Sequence, residues 1–261
     1  MRFAAVLLSL AAFQGADDRA KRNAERIAFA KVDARSDEEK RVLALLTERS
    51  RWAAAFKEVE EKLGGAFKDD TAVEVTFDYE GDEFAKMAGA VKIRFNLRKL
   101  EAYQKKLDDL DRQRRELAKQ GKRMTFRLPP AKIDRFIPHE LTHVLQKQKG
   151  VEAPEWFEEG LAQWVGDDPN VLIGFVLAER KVESIEAPVA EANDVYPRGH
   201  LFFKWLDSKG AIKKTCAAAL FSGVPWKEAL EKATGLGWDS LVTAERDWSL
   251  KEVDKLRPAK K

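Results

Sequence analysis

Apolar positions along this chain recur first at helical spacing, then in alternation, then at helical spacing again, and these changes of period predict its elements. Residues 17 to about 64 read as helix. Charges of both signs alternate through 33–40, and Val42, Leu43, Leu45, Leu46, Trp52, Phe56 and Val59 then form one apolar face that Gly64-Gly65 ends. The part before residue 40 is poor in large apolar side chains and reads as a mobile, charged lead-in. Thr71 to Tyr79 alternates apolar and polar residues, as a half-buried strand does. Glu80-Gly81-Asp82 supplies a turn. Ala90 to Leu97 alternates again, with Val91, Ile93, Phe95 and Leu97 on one face. These two strands are expected in one mixed or antiparallel sheet.

Helical spacing then returns. Lys99 to Lys119 carries Leu100, Tyr103, Leu107, Leu110 and Leu117 on one stripe among interleaved acids and bases, which predicts a solvated helix. Met124 to Leu128 reads as a short strand closed by Pro129-Pro130. Lys132 to Lys149 is a helix ended by Gly150. A projection at about 100° per residue puts Ile133, Ile137, Leu141, Val144 and Leu145 on one side. His139 and His143 fall nearly opposite, beside Phe136, Gln146 and Lys147, on a face expected to be solvated. Pro154 to Trp164 is a second, short helix, with a proline at its start and Gly166 after its end. The short connection between the two makes them antiparallel neighbours. The pattern as a whole predicts an α+β fold with a small mixed or antiparallel sheet and a mostly helical C-terminal half.

Composition narrows the class. Hydrophobic residues are 44% and charged residues 35% of 261, a globular balance with a heavily charged surface. The net charge of +3 comes from 47 basic against 44 acidic residues, without the lopsided basic character of a nucleic-acid binder. Cys216, the sole cysteine, excludes an internal disulfide framework and a cysteine-based metal site, and in its apolar helical setting it reads as a core residue. At the N-terminus, Arg2 precedes an apolar run from Phe3 to Phe13, and charge begins at Asp17. This run is shorter than the roughly 20 residues a bilayer span needs and reads as a signal peptide over residues 1–16, which implies an exported, periplasmic or secreted protein without stable membrane insertion. The expected organisation is then a lead-in at 17–50, one main domain at 51–250 and a basic tail at 251–261. The seven tryptophans, Trp156, Trp164, Trp205 and Trp248 among them, fall mostly on apolar helix faces and read as core.

The chemistry lies in Pro138-His139-Glu140-Leu141-Thr142-His143. In His-Glu-x-x-His the two imidazoles sit one turn apart on one helix face, about 6 Å along the axis, and can share one tetrahedral zinc. Glu140 is offset around the helix and can hold the metal-activated water. Two of the three histidines of the chain fall in this motif. The following antiparallel helix brings its carboxylates back toward them, and one of these can be a third ligand, leaving a fourth position open for water.

His-Glu-Leu-Thr-His followed by Pro154-Glu-Trp-Phe-Glu-Glu-Gly-Leu-Ala-Gln-Trp164 resembles the gluzincin metallopeptidases, in particular the small bacterial peptidase-MA-like group. The resemblance is specific at 139–143 and 154–164 and looser over residues 50 to 250. It implies a zincin-like domain with one zinc per chain, His139, His143 and Glu159 as ligands, Glu140 as general base and a peptide or protein as substrate. Glu159 is preferred to Glu158 because the family's ligand directly precedes the glycine. Gly160 then lets the two helices approach closely at the metal. One position departs: where many gluzincins carry an aspartate bonded to a ligating histidine, this chain has Gln163, whose carbonyl still accepts an imidazole proton but carries no charge. The tetrahedral oxyanion needs a donor, and Tyr196, Arg198 and His200 are offered by the next segment. The resemblance favours Tyr196, while chemistry also allows His200. A reading from another class is a catalytically silent metallopeptidase-like domain that serves as a binding module in the cell envelope.

Overall fold

The computed structural model describes residues 15–81, 83, 85–89, 91–121, 133–167, 171–172, 175–176, 179–187 and 195–256. The expected signal peptide (but for residues 15 and 16), Asp82 of the expected turn, the strand expected at 124–128 and residues 257–261 of the expected tail lie outside these. The chain is α+β, as its periodicity predicts. The stretch from 17 to 64 is not one helical run. It forms α1 (15–25), β1 (Ala28–Phe29), α2 (Asp37–Thr47) and α3 (Arg49–Leu63). The start of α2 has a local cause. Ser36 caps it by accepting from the Glu39 amide at 3.0 Å, and Glu39 reaches back to the Arg35 amide at 2.6 Å, so orphan donors of the first turn are satisfied. The lead-in is also not loose. Arg19 forms a two-point pair with Glu60 of α3, Arg49 donates to the carbonyls of Glu25 and Ile27, and Ala20, Ala24 and Ile27 are buried.

The remaining strands are β2 (Glu74–Asp78), β3 (Ala85–Gly89) and β4 (Lys92–Asn96), in the spatial order β1-β2-β4-β3. The two strands predicted from alternation, β2 and β4, are neighbours and run parallel. β3 returns antiparallel to β4 and forms the edge. It was not expected, because Ala85-Lys86-Met87-Ala88-Gly89 has no alternation of large apolar residues. Ile93, Phe95 and Leu97 are buried as predicted, but Val91 is 42% exposed because it lies in the turn from β3 into β4. Asn96 closes β4 and caps α4 (Leu97–Lys119). Its Oδ1 accepts from the Lys99 amide, and its Nδ2 donates to the carbonyls of Glu80 and Gly81, which pins the start of the connection leading to β3.

After α4 come a single 3-10 turn (Ile133–Arg135), α5 (Phe136–Lys149), α6 (Glu155–Gly166), α7 (Val195–Ser208), α8 (Ile212–Ala219), α9 (Trp226–Thr234) and α10 (Trp238–Leu256). Residues 251–256 thus continue α10 and are not tail. One core joins the sheet to α3, α5, α6 and α7 through Trp52, Phe56, Phe95, Leu141, Phe157 and Phe203, all at most 1% exposed. Cys216 is buried in it, and burial pushes its thiol up to about 12, consistent with an inert core residue. Trp205 is buried, and Trp156, Trp164 and Trp248 pack against the core. Among the described residues no helix is long and apolar enough to cross a membrane.

Candidate metal centre

The His-Glu-x-x-His motif occupies α5. Pro138 sits in the first turn, where the missing N–H has no intrahelical acceptor to lose. Thr142, fully buried, satisfies its hydroxyl by donating to the Pro138 carbonyl at 2.8 Å. The histidine face is not solvated as the projection suggested. Glu140 is 2% and His143 9% exposed, and Gln146 is buried, because α6 lies over that face and β3 packs beside the helix. α5 is therefore buried nearly all round.

Two side chains of this segment tie α5 to α6 at opposite ends. Before α5, Arg135 donates to the Val165 carbonyl at 2.9 Å and to the Gly166 carbonyl, two of the orphan acceptors at the C-terminus of α6, and pairs at two points with Glu58 of α3. Near the other end, Gln146 donates from Nε2 to the Glu158 carbonyl at 3.1 Å. The start of α5 thus faces the end of α6, and the pair is antiparallel as its short connection predicts.

This arrangement gathers His139, His143 and Glu159, whose ligand atoms all lie within 4.8 Å of one another. The two Nε2 atoms are 3.3 Å apart, and Glu159 Oε2 is 3.5 Å from the first and 3.3 Å from the second. An ion bonded tetrahedrally to nitrogen and oxygen at about 2.0–2.1 Å has ligand-to-ligand edges of about 3.3 Å. Glu159 Oε2 is buried yet makes no hydrogen bond among the described residues, a mismatch that a shared cation resolves. The three residues fit a metal ion. Glu158 is not among them; its backbone serves Gln146 instead.

Electrostatics agree. Burial alone would lower the His143 pKa, but the Glu159 and Glu140 carboxylates outweigh it and hold the ring up at about 9. Burial would raise Glu159, but the two imidazoles outweigh it and hold this carboxyl far below its usual range. Both shifts express one fact: negative charge on Glu159 is matched by positive charge on the imidazole side, the balance that a cation would supply. Glu140 differs. Burial pushes its carboxyl up, the histidines only partly oppose this, and its Oε2 has no hydrogen-bond partner among the described residues.

Tyr196, in the first turn of α7, lies with its ring centroid 6.4 Å from that of His139. Burial and the Glu159 and Glu140 carboxylates push its phenol well up. What brings it there is a glycine pair. A Cβ on Gly160 would lie 2.5 Å from Gly199 Cα, and one on Gly199 would lie 2.4 Å from the Trp156 carbonyl oxygen. α6 and α7 therefore cross in backbone contact, and only glycine fits. This corrects the expected role of Gly160, which faces α7 and not α5; Gly166 is the residue of α6 at which an added Cβ would lie 3.2 Å from His139 Cβ.

The other expected site residues lie elsewhere. His200, 2% exposed, hydrogen-bonds the backbone of Gln163 and is pushed down to about 3 by burial and by Lys204. Arg198 is engaged in a buried two-point pair with Glu245, which Ser249 also holds. Gln163 is buried, and the imidazole partner expected of it is Gln146, whose Oε1 stands 2.8 Å from His143 Nδ1. Gln146 follows His143 by three residues, so helical spacing alone could have found it. Arg135 and Gly199 gave no such signal, since both act on a partner distant in sequence. No family model, curated protein or solved structure matches this chain.

Proposed function

We propose that the protein is a zinc-dependent peptidase with a zincin-like domain of the gluzincin kind, in which His139, His143 and Glu159 hold one zinc ion per chain. The observation that carries this reading is the convergence of two imidazole nitrogens and one carboxylate oxygen at tetrahedral spacing, beside the buried Glu140, whose Oε2 has no partner among the described residues. Two histidines and a glutamate suit zinc and leave one position open. Bound there, zinc supplies Lewis acidity that polarises a peptide carbonyl and acidifies water.

The chain's own residues do the rest. Glu140, raised by burial, is a stronger base than an exposed glutamate, and no described residue competes for its Oε2. It takes the proton of the attacking water there and returns it to the leaving amine. Tyr196 stays protonated throughout the physiological range and serves as a donor to the developing oxyanion. Its place beside His139 favours it over His200, which is held in the packing between α6 and α7. The outer edge of β3, next to α5, offers backbone groups to an extended peptide. The substrate is a peptide or protein, not a nucleic acid, met outside the cytoplasm after export by the N-terminal leader.

The test is metal content and hydrolysis of a peptide library, for the purified protein and for Glu140→Gln. One equivalent of zinc in both, with turnover lost by about 10²-fold or more in the variant, is expected. Bound zinc without turnover of any peptide would favour the silent binding module. A protein that takes up no zinc would sink both readings.

A further inference from the structure

Gln146 is 1% exposed and makes two contacts that meet the metal centre from opposite sides. Its Oε1 lies 2.8 Å from His143 Nδ1, and its Nε2 donates at 3.1 Å to the carbonyl of Glu158, the residue before the third ligand. An amide has a direction: the nitrogen only donates and the oxygen only accepts. A backbone carbonyl only accepts, so Nε2 must face Glu158 and Oε1 must face the imidazole. Nδ1 must then carry the proton, and the neutral ring presents its lone pair at Nε2, the atom 3.3 Å from His139 Nε2 and from Glu159 Oε2. The reversed amide would set oxygen against the Glu158 carbonyl and would favour the tautomer protonated at Nε2, which has no lone pair to offer a metal at that atom.

We propose that Gln146 is the positioning residue of the metal centre, fixing the metal-binding tautomer of His143 and locking it to the backbone beside Glu159. The proposal rests on the metal-centre reading above. In this scheme the carbonyl of Glu158, on a different helix from the histidine, dictates which imidazole nitrogen is free. One buried, uncharged side chain thereby couples two ligands on two elements. Charge at this position is unnecessary because direction, not charge, is what the ring requires. With Arg135 at the far end, the contact ties α6 to α5 at two places.

The test compares the full chain, stripped of metal, with Gln146→Met, which loses both contacts, and Gln146→Glu, which keeps an acceptor for Nδ1. Zinc affinity is measured by competition with a chromophoric chelator, and the visible spectrum of the cobalt-loaded protein reports the ligand geometry. Metal-free melting temperatures are recorded beside them. Gln146→Met should weaken zinc by about 10–100-fold and alter the cobalt bands, and Gln146→Glu should recover most of the loss. In the zinc-loaded wild type, long-range ¹⁵N–¹H correlations of His143 should show hydrogen on Nδ1 and metal on Nε2, a readout that needs no variant to fold. Metal found on Nδ1 overturns the proposal. So does wild-type zinc affinity in Gln146→Met, or an equal loss in both variants that tracks their melting temperatures. A wild type that binds neither metal overturns the metal centre itself, and so separates that failure from this one.

Discussion

At the scale of single residues, the centre depends on what each buried polar atom can and cannot do. Tyr196 is held protonated beside two carboxylates, so its hydroxyl is a donor and never a base at ordinary pH. Tyr196→Phe should lower kcat by about 10²–10³-fold with KM and zinc content little changed, the pattern of a contact made only in the transition state. Steady-state kinetics with metal analysis check this, and an unchanged kcat would remove Tyr196 from the chemistry. His200 gives a pH effect of a different origin. Its folded pKa of about 3 lies below the ordinary 6.5, so between these values the unfolded chain binds a proton that the folded chain refuses. Stability from this group is full above about 6.5 and is lost as pH falls toward 3, at up to about 1.4 kcal/mol per pH unit. His200→Gln should therefore melt with a flatter acid limb than the wild type between pH 6.5 and 4. Parallel limbs would show that His200 is not the titrating group. Residue positions were legible where spacing within one helix decided them, as for His139, Glu140 and His143. They were not legible where another element decided: Gln163 and Gln146 are the same residue type, and only the facing backbone tells them apart.

At the scale of elements, the site is a stack of three helices. α5 carries the motif, α6 the third residue of the cluster, Glu159, and α7 the tyrosine. The α5–α6 pair was readable because a short connection between two helices leaves little choice but an antiparallel hairpin. The third layer was not. Gly199 lies in a helix that begins after residues 168–194, and nothing in its neighbourhood names Gly160 as its partner. Gly160→Ala tests this crossing. Its Cβ would meet Gly199 Cα at 2.5 Å, backbone against backbone, so the helices must separate. A cost of about 1–3 kcal/mol is expected, or about 2–4 °C of melting temperature per kcal/mol in a domain of this size. Because Tyr196 rides on α7 and the ligands do not, hydrolysis should fall further than zinc affinity. Equal melting temperatures for variant and wild type would mean that the crossing is looser than the glycine contact implies. α5 itself shows how a projection misleads. Its histidine face looked solvated because Gln146 and Lys147 flank it, but Gln146 is polar for a buried partner.

At the scale of the whole molecule, the N-terminal region is part of the domain. β1 pairs with β2, and Arg19 satisfies Glu60, whose side chain is only 6% exposed. Removal of residues 1–29 should therefore uncover the packing partners of Ala20 and Ile27, open the β2 edge and take from Glu60 its two-point pair with Arg19, leaving the Phe67 amide among its described contacts. Loss of this pair and of core cover together should make the truncated chain aggregate or melt far below the full chain by light scattering and calorimetry. A truncated chain that melts like the full one would restore this region to a detachable lead-in. The sequence by itself determined the fold class, the two ligand helices and the ligand set expected in them, because periodicity and i, i+4 spacing act within a few residues. Tertiary structure alone decided that β3 closes the sheet edge beside α5, that Gly160 and Gly199 set Tyr196 against the cluster, and that Gln146 holds His143. Each of these depends on backbone from a second element, and no local pattern records which element that will be.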